Sequence, residues 1–173
     1  MHDLANIYVD KGKIDDAIAF YQQSLEIKER FGDVQGKART LYQLAGIYTN
    51  KGEIDKAIAH YQQSLEITER IGDIHTKAAI FHSLAGIYAD KGEIDKAIAH
   101  YQEVLEMDER TGNVEGKSVT LAKFGNLLAD EKGDFVTALE YLQQSLEILQ
   151  RIQSPDAERV IGFINDVQQM ANG

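Results

Sequence analysis

Residues 44–67, LAGIYTNKGEIDKAIAHYQQSLEI, return forty positions later at 84–107 as LAGIYADKGEIDKAIAHYQEVLEM. More diverged copies flank them, LANIYVDKGKIDDAIAFYQQSLEI at 4–27 and FGNLLADEKGDFVTALEYLQQSLEI at 124–148. A fixed period of this size marks stacked supersecondary units, each burying its apolar face against its neighbours. Such arrays act through extended surfaces, so the class of function is narrowed before any single residue is considered.

One repeat shows the local logic. Asp33 follows Gly32 and precedes a periodic stretch, as a helix N-cap does. Ala38, Leu41, Leu44, Ala45 and Tyr48 then recur at helical spacing. Gly52 closes that helix with a residue free to take positive φ. Asp55 opens a second amphipathic helix carrying Ala57, Ile58, Tyr61, Leu65, Ile67 and Ile71, and so short a connection makes the two antiparallel neighbours. Ala45 and Ala57 fall where the helices approach closely, with Tyr48 and Tyr61 filling the space beside them. Glu26–Arg30, Glu66–Arg70 and Glu106–Arg110 have the favourable i,i+4 order on an exposed face.

The same reading along the chain predicts helices at 3–11, 13–30, 34–51, 54–71, 74–91, 94–111, 114–131 and 135–152. A ninth follows, with Ser154 as N-cap, Pro155 at the first helical position, and an apolar face of Val160, Ile161, Ile164, Val167 and Met170. In the fourth copy DEKGD replaces DKGE, one extra residue that is expected to lengthen the turn.

The run Leu41-x-x-Leu44-Ala45-x-x-Tyr48, then Ala57-x-x-x-Tyr61-x-x-Ser64, resembles the tetratricopeptide repeat. The period of forty is longer than that family's usual thirty-four, and the excess falls in ERIGDIHTKA and its equivalents. In this the chain is similar to the repeats of kinesin light chains and cell-polarity adaptors. The resemblance implies an all-α, right-handed superhelical solenoid of antiparallel helix pairs. Its units would run over 1–32 with a truncated start, 33–72, 73–112 and 113–153, followed by a capping helix at 154–171, as a single array over 1–173. Met1 falls where Leu41 stands in the next unit, which suggests a fragment of a larger protein and an open apolar N-terminal end.

Composition removes several functions. A formal charge of −10 opposes a nucleic-acid surface, which needs clustered Lys and Arg, and equally opposes adhesion to anionic lipid. A basic or mixed peptide suits it better. Cysteine is absent, so thiolate chemistry and disulfides are excluded. Without an export signal or membrane-length apolar run, the expected location is the cytoplasm.

Four constellations invite catalytic or ligand readings, and each has a plainer structural one. GNVEGKS at 112–118 is one residue short of a phosphate-binding loop and follows a helix where a strand is required. It is the inter-repeat turn. None of His2, His60, His75, His82 and His100 forms an i,i+4 metal pair. His60 and His100 share a register slot with Phe20 and Tyr141, which reads as a partly buried place for any ring. Glu26/Glu29 and their repeats lie on a solvated face beside arginines. DKGEID at 90–95 lacks the glycine and distal glutamate of a calcium loop. No catalytic residue, metal or cofactor is therefore expected, and the chain reads as a non-enzyme.

In tetratricopeptide arrays the first helix of each pair lines a concave groove, so the resemblance implies partner contacts at Asn6, Arg39, Tyr42, Asn50, His82, Asp90, Asn126 and Asp130. Asn6 and Asn126 match the family's backbone-binding asparagine, whereas Gly46 and Gly86 replace it in the middle repeats. The expected role is a protein-interaction scaffold holding a peptide or helix in that groove. The alternative is a sensor or regulatory segment of a larger signalling or effector protein, with its catalytic domain elsewhere. Leu4, Ile7 and Tyr8 on a half-length first helix further suggest a weak homodimer through the N-terminal end.

Overall fold

A computed structural model describes residues 2–172, with the side chains of residues 2, 3, 6 and 10 outside the description. All the regular elements among the described residues are helical. They come as pairs: α1 (His2–Asp10) with α2 (Ile14–Phe31), α3 (Val34–Asn50) with α4 (Ile54–Ile71), and α5 (Ile74–Asp90) with α6 (Ile94–Thr111). The fourth pair is α7 (Val114–Leu127), extended by a π-helical turn at Leu128–Lys132, with α8 (Phe135–Arg151), and α9 (Ala157–Asn172) follows. Two compact units divide the chain, Met1–Ile87 and Tyr88–Gly173. In the first, α1 packs on α2, α2 on α3 and α3 on α4; in the second, α6 packs on α7, α7 on α8 and α8 on α9.

The caps follow the sequence. Asp33 accepts a hydrogen bond from the Gly36 N–H at 2.9 Å, and Asn113 accepts from Gly116 at 3.1 Å. Asp73 accepts from the Thr76 N–H at 3.1 Å and from its hydroxyl at 2.8 Å. Gly52 takes φ +76° while the Glu53 N–H reaches back to the Tyr48 carbonyl at 2.9 Å, a helix stop that needs a residue without Cβ strain. After α8 the same left-handed conformation falls on Gln153, φ +54°, the one described non-glycine residue to adopt it.

Packing within a pair depends on small residues where the helices cross. Ala5, Ala17, Ala38, Ala45, Ala57 and Ala138 have no exposed surface. In the first unit Ala38, Leu41 and Ile67 cluster with Leu25 and Val34, joining α2, α3 and α4. The buried Ser64 hydroxyl donates to the Ala38 carbonyl at 2.7 Å, and Ser145 donates to the Ser118 carbonyl at 2.8 Å. These bonds between partner helices satisfy hydroxyls that would otherwise be costly to bury.

Three expectations need correction. The extra residue of the fourth repeat does not lengthen the turn. It is absorbed as the π-helical turn at Leu128–Lys132, which accommodates one residue while Gly133 still ends the helix at φ +64°. The last helix starts at Ala157, two residues after Pro155, which lies in the preceding turn. Ser154 instead accepts from the Asp156 N–H at 3.3 Å, and Ile161 and Met170 are exposed while Val160 and Val167 are buried. Finally, ion pairs among the described residues do not join Glu26 to Arg30 or its equivalents. They join Glu29 to Lys37, Glu69 to Lys77 at 2.8 Å and Glu109 to Lys117 at 2.7 Å, clasping each second helix to the next repeat's first.

Two glycines separate close approach from open space. A Cβ on Gly125 would meet the Ala138 carbonyl oxygen and Leu142 Cγ, both at 3.0 Å, whereas one on Gly86 would meet nothing within 4 Å. Gly125→Ala should therefore destabilise the fold by about 1–3 kcal/mol through overpacking. Gly86→Ala, inside α5, should stabilise it by about 0.5–1 kcal/mol through helix propensity. Urea denaturation of the two variants checks the opposite signs.

A candidate interaction face on the first helix of each pair

On α3 the packing stripe leaves a strip of accessible residues. Arg39 and Asn50 are exposed, and Tyr42, Gly46 and Thr49 are half-buried, between the buried Leu41, Leu44, Ala45 and Tyr48. Spacings of three and four keep the strip on one helical face. On α5 His82 is half-buried, with Ala79 and Gly86 in the neighbouring turns. In the second unit Asp90 is exposed at the end of α5, Asn126 is half-buried on α7, and Asp130 is exposed within the π-helical turn. Asn6 falls on α1, and its side chain lies outside the described residues.

Beneath the strip of the first unit lies a feature that the sequence reading missed. The Tyr42 ring stands 5.8 Å from the Tyr61 ring. Burial pushes the Tyr61 hydroxyl above its ordinary pKa, against hydrogen bonding with Ser83 and Thr49. The same hydroxyl would lie 3.8 Å from a Cβ on Gly46. Tyr42 thus has a packing role as well as an accessible edge, so it is not the clean surface probe that its spacing suggested. The available signal was the joint presence of Thr49 and Ser83, which the other repeats replace with Val9, Gln43, Ala89 and Lys123.

Arg39 also has an internal role. Burial would raise the Asp73 carboxyl, but hydrogen bonds from Thr76 and Gln35, with the Arg39 charge, hold it below the usual carboxylate range. Asp90 acts on Tyr101, whose hydroxyl is pushed up to about 12 by burial first and by the Asp90 carboxylate second.

The shared ring slot is filled in every pair. Phe20 packs on Tyr8 at 4.9 Å, His60 on Tyr48 at 5.1 Å, His100 on Tyr88 at 5.5 Å and Tyr141 on Phe124 at 5.1 Å. In the fourth pair the ring partner has moved one turn, because Leu128 stands where the other repeats carry tyrosine. At 112–118 the Asn113 side chain occupies the turn, accepting from Gly116 and donating to Asp108 at 2.8 Å. Glu29, Glu69 and Glu109 each face a lysine rather than a second carboxylate.

A cleft of about 380 Å³ lies elsewhere, between α2, α3 and α4. Val34, Leu41 and Ile67 line it with Lys28, Lys37, Glu66 and Arg70. The Lys28 ammonium donates to the Gly36 carbonyl at 3.0 Å and to the Thr40 hydroxyl at 2.6 Å. None of the eight residues expected to contact a partner lines this cleft.

The helix pairs, their small-residue crossings and their glycine-ended turns define a helical-repeat protein. The tetratricopeptide repeat profile matches residues 1–73 and 76–151, and the chain belongs to that family. No curated protein matches it in sequence. Among solved structures it is similar to BtubC (BKLC) from P. vanneervenii, with a TM-score of 0.88 and 22% identity over 98% of this chain and 70% of that one. It also resembles a Podosopora anserina putative kinesin light chain with nearly identical TPR-like repeats, at TM-score 0.72 and 18% identity over 99% and 90% of the two chains. Aspartyl phosphate phosphatase F from Bacillus subtilis aligns at TM-score 0.66 and 16% identity, over 96% of this chain and 47% of its own. Likeness at such identities establishes the fold. Tetratricopeptide repeats are generally protein-interaction modules, and no catalytic family is matched.

The buried tyrosines give a pH test. The Tyr101 pKa is raised from 10.0 to about 12 in the fold. Its contribution to stability is therefore complete below the unfolded value and is lost as pH rises from 10 towards 12. Denaturation over that interval should show a steeper loss for the native chain than for Tyr101→Phe. Tyr61→Phe should cost about 0.5–1.5 kcal/mol at neutral pH by removing the hydroxyl from Thr49 and Ser83.

Proposed function

We propose that the chain is a non-catalytic protein-interaction scaffold, holding a peptide or helix along the accessible strip of its first helices. The observation that carries this reading is the division of α3. Its packing residues are fully used, while Arg39, Tyr42, Gly46 and Asn50 remain reachable on one face. With a formal charge of −10 and exposed Asp90 and Asp130 at the ends of first helices, the natural ligand is a basic or mixed peptide. Nucleic acid and membrane surfaces are poor matches for the same reason. Among the described residues no helix is long and apolar enough to cross a membrane.

Screening a peptide library with the intact chain would supply a ligand for calorimetry. Asn50→Ala and Asp130→Ala, both at exposed positions, should each weaken binding several-fold and leave thermal stability nearly unchanged, while Arg39→Ala should weaken binding with a small cost in stability from the Asp73 cap. His82→Ala and Asn126→Ala, at half-buried positions, should weaken binding with a larger cost in stability. Equal affinity across all five variants, or loss of binding on substituting the Glu26–Glu66–Glu106 face, would overturn the assignment.

A regulatory role within a larger signalling protein is the second reading. It is supported by the alignment with aspartyl phosphate phosphatase F, in which the matched region is about half of the chain. Weak self-association through the first repeat has its own support. Leu4, Ile7 and Ile27 are 39%, 46% and 42% exposed, whereas Leu44, Ile47 and Ile67, at the same positions of the second repeat, are at most 9% exposed. Sedimentation at several concentrations should show a dimer that Ile27→Glu abolishes, and a native chain that stays monomeric would remove the idea.

A further inference from the structure

The helix-pair contacts of the two middle repeats contain a pairing absent from the outer ones. Tyr88, in the last turn of α5, carries two cation-forming side chains of α6 on its ring. His100 stacks on it nearly parallel, at 5.5 Å and 22°, and the Lys96 ammonium lies 5.0 Å from the ring centre. In the first unit Tyr48 has the same company, His60 at 5.1 Å and Lys56 at 5.4 Å. Where the ring slot holds Phe20 or Tyr141 instead, the position one turn earlier holds Asp16 or Thr137, not lysine. Histidine in the slot is therefore accompanied by a lysine one turn earlier, whereas in the first repeat Lys13, from outside the slot's helix, lies 5.6 Å from the Tyr8 ring with Phe20 beside it.

We propose that the Tyr88–His100–Lys96 stack is an acid-sensitive latch, in which protonation of His100 loosens the last turn of α5 from α6. At neutral pH the imidazole is an uncharged ring resting on Tyr88. Once protonated, it becomes a second cation beside Lys96, four residues away on one helix, where like charges repel. It must also hold that charge while half-buried. The Tyr88 π-face and the Glu103 carboxylate oppose this. Lys96 pairs with Glu93, which also takes Lys91 at 3.2 Å. On balance burial, aided by Lys96 and resisted by Glu103, sets the His100 pKa below its ordinary 6.5.

The direction follows by linkage. A histidine whose folded pKa is depressed contributes stability that is complete above the unfolded value and is lost as pH falls below about 6.5 towards the folded value. Each unit of depression corresponds to about a tenfold fall in the local closing equilibrium. Carboxylates are still ionised in most of this range, so the acid effect is separable from general acid unfolding.

The test is an NMR titration of the intact chain between pH 7.5 and 5, following the His100 ring and hydrogen exchange of the Tyr88–Asp90 amides. The latch predicts a His100 midpoint below 6.5 and several-fold faster exchange at those amides as it titrates. Lys96→Gln should move the midpoint upward, and His100→Phe, which places the ring of the first repeat in the slot, should make exchange independent of titration. A His100 midpoint at or above 6.5, unchanged amide exchange on acidification, or the same acid response in His100→Phe would overturn the proposal.

Discussion

The close crossing of the two helices in each pair is the constraint on which the rest of this fold depends. An alanine at the crossing lets the backbones approach far enough for side chains above and below to interdigitate, at interaxial distances of about 8–10 Å. Ala45 and Ala57 have no exposed surface, and in the fourth pair Gly125 replaces alanine against the Ala138 carbonyl. From that spacing follow the ring pairs beside the crossing, the Ser64 and Ser145 hydroxyls that reach the partner backbone, and the division of α3 into packed and accessible faces. A larger residue at the crossing would disturb all three together.

Much of this was legible because the sequence repeats it. Four copies in register reveal which positions must stay small, which end helices and which accept any ring. The boundaries of α4 and α6 agree with the periodicity to the residue. The misreadings have a common cause, since each depends on a choice between local conformations with similar sequence signals. An inserted residue can lengthen a turn or widen a helical turn, and DEKGD does not reveal that Leu128–Lys132 will take the π form. Proline suits the first helical position, yet α9 begins two residues beyond Pro155. Glutamate and arginine at i,i+4 compete with a lysine eight residues away across a turn, and only the folded turn brings Lys77 to Glu69.

The candidate face was less legible than the core. Spacing alone identifies residues that the packing stripe leaves free, but not the second duties some of them have. Tyr42 leans on Tyr61, and Arg39 biases the Asp73 cap, links that appear only when successive helices are placed side by side. The hydroxyl cluster of Tyr61, Thr49 and Ser83 draws on three helices and has no periodic signature, being confined to one repeat. Repetition therefore made the shared framework readable, while the features that could distinguish a partner lie where the repeats differ.

If near-neighbour packing of identical crossings holds the chain together, a whole repeat can be excised without creating a new junction. Deleting residues 44–83 joins Gln43 to Leu84, which follows the same register as Gln43 to Leu44. Circular dichroism with chemical denaturation of this shortened chain is the direct measurement. A folded helical protein, less stable by one repeat and one interface, is the predicted result. Loss of helicity on deletion would contradict it and point to contacts between distant parts of the chain.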